Sequence, residues 1–175
     1  RRALARRRPG VIVATKFGLE VDPSRRGARP AYLRPAVADS LHRLGTDYID
    51  LYQLHRPDPD VPIADTLGAL NDLVRAGKVR EIGCSNFSAA QLQEARDAAV
   101  AANGATFVSV QNEFSLLHRD PQREVLPAAA RLGMAFLPYF PLESGLLTGK
   151  YVRGQAVPPT SRLSAAWAAD RFLTD

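Results

Sequence analysis

The sequence predicts an α/β fold built on a parallel sheet, and three observations carry that expectation. Five short apolar runs alternate with helical patterns at intervals of about 30 residues, the length of one strand–helix unit. Each run delivers a polar or aromatic residue at its carboxyl end, where parallel α/β folds bind ligands and do chemistry. No Gly-x-Gly-x-x-Gly follows any of these runs, so the fingerprint of an open dinucleotide-binding sheet is missing and a (β/α)8 barrel is favoured.

The first strand is expected over Val11–Lys16, ending on lysine. A helix follows over Leu33–Leu44, with Leu33, Val37, Leu41 and Leu44 on one face and Gly45 as its stop. The second strand, from Tyr48, runs straight into His55, and Arg56 before Pro57 must leave the sheet. Leu67, Leu70, Leu73 and Val74 make a helix of Ile63–Ala76, closed by Gly77. The third strand starts at Val79 and ends on Ser85 and Asn86. Ser88 with Gln91 three positions on is a capping box, opening a helix to Ala102. The fourth strand, from Phe107, ends on Gln111 and Asn112. Pro121 at a first helical position and Gly133 as a stop bracket a helix of Asp120–Leu132. The fifth strand, from Met134, ends on Tyr139, and Ser164–Leu173 reads as one more helix.

Five strands do not close a barrel of eight. The chain opens on what reads as the tail of a helix, Arg1–Arg8, and stops within or just after one at Asp170–Asp175. Residues 1–175 are therefore expected to be a single domain, a partial barrel and an interior piece of a longer protein.

Composition narrows the function classes. The chain has 175 residues, 46% hydrophobic and 23% charged, ordinary values for a globular protein. Its net charge of +5 comes mostly from scattered arginines with no groove-reading motif, which points away from nucleic acid. The single Cys84 leaves no disulfide framework and fits a reducing compartment, so a cytoplasmic location is expected. No apolar run has the length of a membrane span. Asp58 and Asp60 do not join His55 in a metal site, because Pro57 and Pro59 break any regular ligand face.

Ala14-Thr-Lys-Phe17, Leu44 to His55, Gly77 to Phe87, Gln111 to Ser115 and Pro141 to Lys150 resemble, in order, successive motifs of the aldo/keto reductases. The resemblance covers nearly the whole chain. It implies a (β/α)8 barrel that transfers hydride between a nicotinamide cofactor, usually NADPH, and a small-molecule carbonyl. It also implies roles. Lys16 is the catalytic lysine, whose cation lowers the pKa of a neighbouring tyrosine acid. His55 hydrogen-bonds and orients the substrate carbonyl. Ser85, Asn86 and Gln111 hold the nicotinamide carboxamide, a group that both donates and accepts. Tyr139 stacks on the nicotinamide ring. Leu142 and Ser144 lie along the pyrophosphate. Gly145–Lys150 is not a P-loop, since it is one residue short and Tyr151 stands where Ser or Thr is required.

The family's catalytic Asp and proton-donating Tyr should precede the first strand, yet no Asp or Tyr precedes Lys16. The chain by itself is therefore expected to be inactive and, with two open sheet edges, prone to self-association. Two other functions stay open on the sequence. One is a Schiff-base lyase with Lys16 as the amine nucleophile. The other is a non-catalytic regulatory member of the same family.

Overall fold

A computed structural model describes residues 4, 7–22, 25–152 and 154–165. Its sheet has five parallel strands in sequence order: β1 (Ala14–Phe17), β2 (Ile49–Leu54), β3 (Val79–Ser85), β4 (Phe107–Glu113) and β5 (Ala135–Tyr139). The helices between them are α1 (Pro30–Leu44), α2 (Ile63–Arg75), α3 (Ala89–Ala101) and α4 (Val125–Arg131). Strand–helix–strand connection with every neighbour parallel is the arc of a partial (β/α)8 barrel. No helix among the described residues is long and apolar enough to cross a membrane.

Local chemistry explains the element ends. Pro30 opens α1 at a position where its fixed φ suits a helix start and its missing N–H is no loss. The helix therefore begins before Leu33, where the apolar repeat starts. Gly45, at φ 67°, closes α1 in the left-handed conformation, and its N–H bonds the Leu41 and His42 carbonyls. The capping box at α3 forms as expected: Gln91 N–H donates to Ser88 Oγ at 3.2 Å, and Ser88 N–H to Gln91 Oε1 at 2.9 Å.

The expected helix of Asp120–Leu132 does not form as one piece. A 3-10 turn covers Asp120–Gln122 and α4 starts only at Val125. Pro127 is the cause. Its ring would clash with the Arg123 carbonyl in a continuous helix, whereas in the first turn of α4 it is tolerated. The strand expected from Val11 pairs only from Ala14. The expected helix from Ser164 meets a 3-10 turn at Arg162–Ser164 with Ala165 extended, and its remainder, residues 166–173, lies outside the described residues.

One face of the sheet carries the core. Phe17, Tyr52, Leu54, Ile82, Cys84 and Val110 pack there against Leu33 and Val37 of α1, Leu67, Leu70 and Leu73 of α2, and Leu92 and Ala95 of α3. The Phe17 and Tyr52 rings stack at 4.8 Å. The other face is polar. Register aligns Lys16, Gln53, Gly83, Ser109 and Ala135 in one row across all five strands. The next row toward the carboxyl ends holds Ser85, Gln111 and Leu137, and beyond it Glu113 pairs with Tyr139.

Candidate active site

Side chains alternate along a strand, so residues two apart share a face. Lys16 and Gln53 are register partners, and His55 stands two residues beyond Gln53. The ladder runs on past β2, with His55 N–H donating to the Phe17 carbonyl at 2.8 Å. By the same count Ser85, Gln111 and Tyr139 follow Gly83, Ser109 and Leu137 on the polar face. Five sequence-selected residues thus meet on one face at the carboxyl end, and they do so through register alone.

Electrostatics sets the state of the first two. Burial pushes the Lys16 ammonium below its ordinary pKa. His55 is also held below its usual value, by burial first and then by the positive charges of Lys16 and Arg56. The result is a neutral imidazole at neutral pH beside a cation. That imidazole can still donate one ring N–H to an oxygen.

The floor of this face is tightly built. A Cβ on Gly83 would lie 2.5 Å from Ser109 Oγ, 3.1 Å from the Ser109 carbonyl oxygen and 3.2 Å from Gln53 Cγ. Gln53 and Ser109 are 1% and 3% exposed, so neither has room to withdraw. Gly83→Ala is therefore expected to destabilise the fold by about 1–3 kcal/mol, the usual cost of overpacking. A thermal melt checks this, and an unchanged melting temperature would show that the floor yields.

Ser85 is 1% exposed and its hydroxyl donates to the Gln111 carbonyl at 2.5 Å. Asn86 takes the left-handed conformation, at φ 62°. Its side-chain N–H donates to the His55 carbonyl at 2.9 Å, and its Oδ1 accepts from the Tyr139 hydroxyl at 2.8 Å. This links β2, β3 and β5 across the rim. The Gln111 amide, by contrast, makes no hydrogen bond among the described residues.

After β5 the chain turns sharply. Phe140, Glu143, Ser144 and Gly145 all have φ between 46° and 97°. Left-handed non-glycine residues cost energy and cluster where function needs a special backbone shape. Ser144 is buried and its Oγ lacks a partner among the described residues, whereas Leu142 is 54% exposed. Sequence reasoning overlooked Glu143, which is 1% exposed and accepts from the Ser115 hydroxyl, tying the loop after β4 to this turn. No sequence signal marks that contact. Asn112 reads in the sequence only as the end of the fourth strand beside Gln111, with no role of its own.

Depressions separate the parts. One of about 500 Å³ is lined by Asn86, Asn112, Glu113, His118, Arg123 and Tyr139. Lys16 and His55 line another of about 190 Å³, next to Tyr52. A larger one, about 800 Å³, lies by Pro57–Ile63 and does not include Lys16, His55 or Gln111. Shared chemistry, not volume, identifies the site.

Comparison with known proteins agrees with the geometry. The family model of the aldo/keto reductases matches residues 1–171. An aldo-keto reductase of Fusarium vanettenii is 45% identical over 152 residues, which is 85% of this chain and 41% of that protein. An aldo-keto reductase of Bacillus subtilis is 42% identical over 82% of this chain and 42% of its own length. A Schizosaccharomyces pombe protein with a provisional aryl-alcohol dehydrogenase name is 42% identical over 70% of this chain and 34% of its own length. The chain thus spans well under half the length of these relatives. With its motifs in order, its parallel βα arc and this match across nearly every residue, the chain belongs to the aldo/keto reductase family.

Proposed function

We propose that the whole protein is an NADP(H)-dependent oxidoreductase that reduces aldehydes or ketones to alcohols. In this reading residues 1–175 form one partial barrel domain that supplies the lysine, the histidine and the nicotinamide pocket. The observation that carries it is the convergence of Lys16, His55, Ser85, Gln111 and Tyr139 on one face at the carboxyl end.

The residues fit the cofactor. Gln111 offers a carboxamide with no hydrogen-bond partner among the described residues, able both to donate to and accept from a primary amide. The turn after β5 offers the buried Ser144 hydroxyl and an unusual backbone shape. When bound, the nicotinamide would supply the hydride. His55 would donate a hydrogen bond to the substrate carbonyl oxygen and hold it in place. Lys16 would stabilise the negative charge growing on that oxygen and lower the pKa of a hydroxyl acid beside it. The lone Cys84, buried and free, suits a reducing, cytoplasmic setting.

The test is consumption of NADPH by the whole protein with an aromatic aldehyde, chosen because one relative carries an aryl-alcohol name. Turnover that disappears in His55→Ala supports the reading, and no turnover with any aldehyde or ketone contradicts it. The desolvated Lys16 would also suit an amine nucleophile, so borohydride trapping is the complementary check. The reductase reading expects no covalent adduct.

Tyr139 gives a further expectation. Tyr139→Ala should weaken NADPH binding about 2- to 12-fold, the worth of one ring-stacking contact. The melting temperature without cofactor should change little, because Tyr139 is only half-buried at a strand end. A large fall in melting temperature with unaltered affinity would make Tyr139 a packing residue.

A further inference from the structure

We propose that Asn112 is a positioning residue for the nicotinamide pocket, holding Asn86 in its left-handed conformation so that Asn86 can brace both His55 and Tyr139. The proposal rests on the reductase reading for its consequence but on geometry for its substance.

Asn112 clamps the backbone just past β3 at two points. Its Oδ1 accepts the Asn86 N–H at 2.7 Å, and its Nδ2 donates to the Phe87 carbonyl at 2.9 Å. The Asn86 N–H also reaches the Gln111 carbonyl at 3.1 Å, so the side chain reinforces one weaker ladder bond. This matters because φ 62° costs energy for a residue with a Cβ, less for Asn than for most, and the two Asn112 bonds hold the backbone on either side of it.

The imposed backbone aims the Asn86 side chain. Both ends of its amide are engaged within the protein: Nδ2 donates to the His55 carbonyl at 2.9 Å and to Ser85 Oγ at 3.2 Å, and Oδ1 accepts from the Tyr139 hydroxyl at 2.8 Å. Asn86 therefore acts as a strut between the histidine that orients the carbonyl and the tyrosine that faces the ring. Gln111, one residue before Asn112, keeps an amide that makes no hydrogen bond among the described residues. Adjacent positions on β4 thus divide two tasks: Gln111 presents its amide on the polar face with Ser85, and Asn112, on the other side of the strand, fixes the strut.

The experiment compares Asn112→Ala, Asn112→Asp and Asn86→Ala, and the Asn86→Ala/Asn112→Ala pair, in the whole protein. Without cofactor, NMR should show faster exchange of the Asn86 side-chain amide protons in Asn112→Ala. With NADPH, affinity should fall about 3- to 10-fold, the value of one hydrogen bond. Asn112→Asp keeps the acceptor for the Asn86 N–H and should retain more affinity than Ala. The double variant should bind no more weakly than Asn86→Ala alone, since Asn112 acts through Asn86. Additive losses, equal losses in Ala and Asp, or lower melting temperature with unchanged affinity overturn the proposal. If the amide exchange changes but even the unaltered protein binds no NADPH, the reductase reading has failed, and with it the pocket role of the clamp.

Discussion

Lys16→Met should lower the turnover of the whole protein by about 10²–10⁴-fold, the range that general acid catalysis contributes. Met keeps the length and apolar stem of the side chain and removes only the cation. Reduction of a carbonyl builds negative charge on oxygen, and a half-buried ammonium acts on that charge with less screening than water would allow. Affinity for NADPH should stay within about twofold, since the proposed mechanism assigns Lys16 to the reacting carbonyl and not to the cofactor. The same variant has a second readout. Lys16 is one of the charges that hold the His55 pKa down, so an NMR titration should show that pKa rising in Lys16→Met. Unchanged turnover would take Lys16 out of the chemistry, and an unmoved His55 titration would separate the two residues.

The largest effect on stability is expected at the opposite end of the sheet. The Asp50 carboxylate accepts the Val13 N–H at 2.9 Å and pairs with Arg8 at 2.7 Å and Arg80 at 2.9 Å. The same two guanidiniums lie over the Tyr48 ring, 3.9 Å and 4.1 Å from its centre. Asp50→Ala would leave Arg8, largely buried, and the Val13 N–H without their acceptor. The expected loss is about 3 kcal/mol, the lower end for a broken buried pair because Arg80 reaches solvent. For a domain of this size that is a fall in melting temperature of roughly 6–12 °C.

The pH dependence follows from the same group. Burial alone would raise the Asp50 pKa, but the Val13 N–H, Arg8 and Arg80 outweigh it and hold the pKa down. A carboxylate depressed in the folded state stabilises above its unfolded value of about 3.9, and that stability is lost as pH falls through the folded value. Acid melts should therefore separate the native protein from Asp50→Ala at neutral pH, and the gap should close only as pH falls below the ordinary carboxylate range, through the depressed folded value.

Much of this arrangement was legible in the chain. The five apolar runs place Lys16, His55, Ser85, Gln111 and Tyr139 at strand ends, and strand alternation with register then puts them on one face. Ser88 with Gln91 announces the start of α3 because both halves of the capping box are local. What escaped depends on partners distant in sequence. β1 begins at Ala14, later than its apolar run, because the Val13 N–H is taken by the Asp50 side chain 37 residues away. The Asn86–Asn112 clamp joins residues 26 apart and has no pattern of its own. The break between Gln122 and Val125 was readable in principle from Pro127, but Pro121 alone drew attention as a helix start.

The measurement that bears most directly on the account is an NADPH titration of the isotope-labelled whole protein followed by NMR. The account predicts saturable shifts at Ser85, Asn86, Gln111 and Tyr139, with His55 moving as the nicotinamide settles beside it. Absence of any shift, or shifts confined to residues away from the carboxyl-end face, would contradict it.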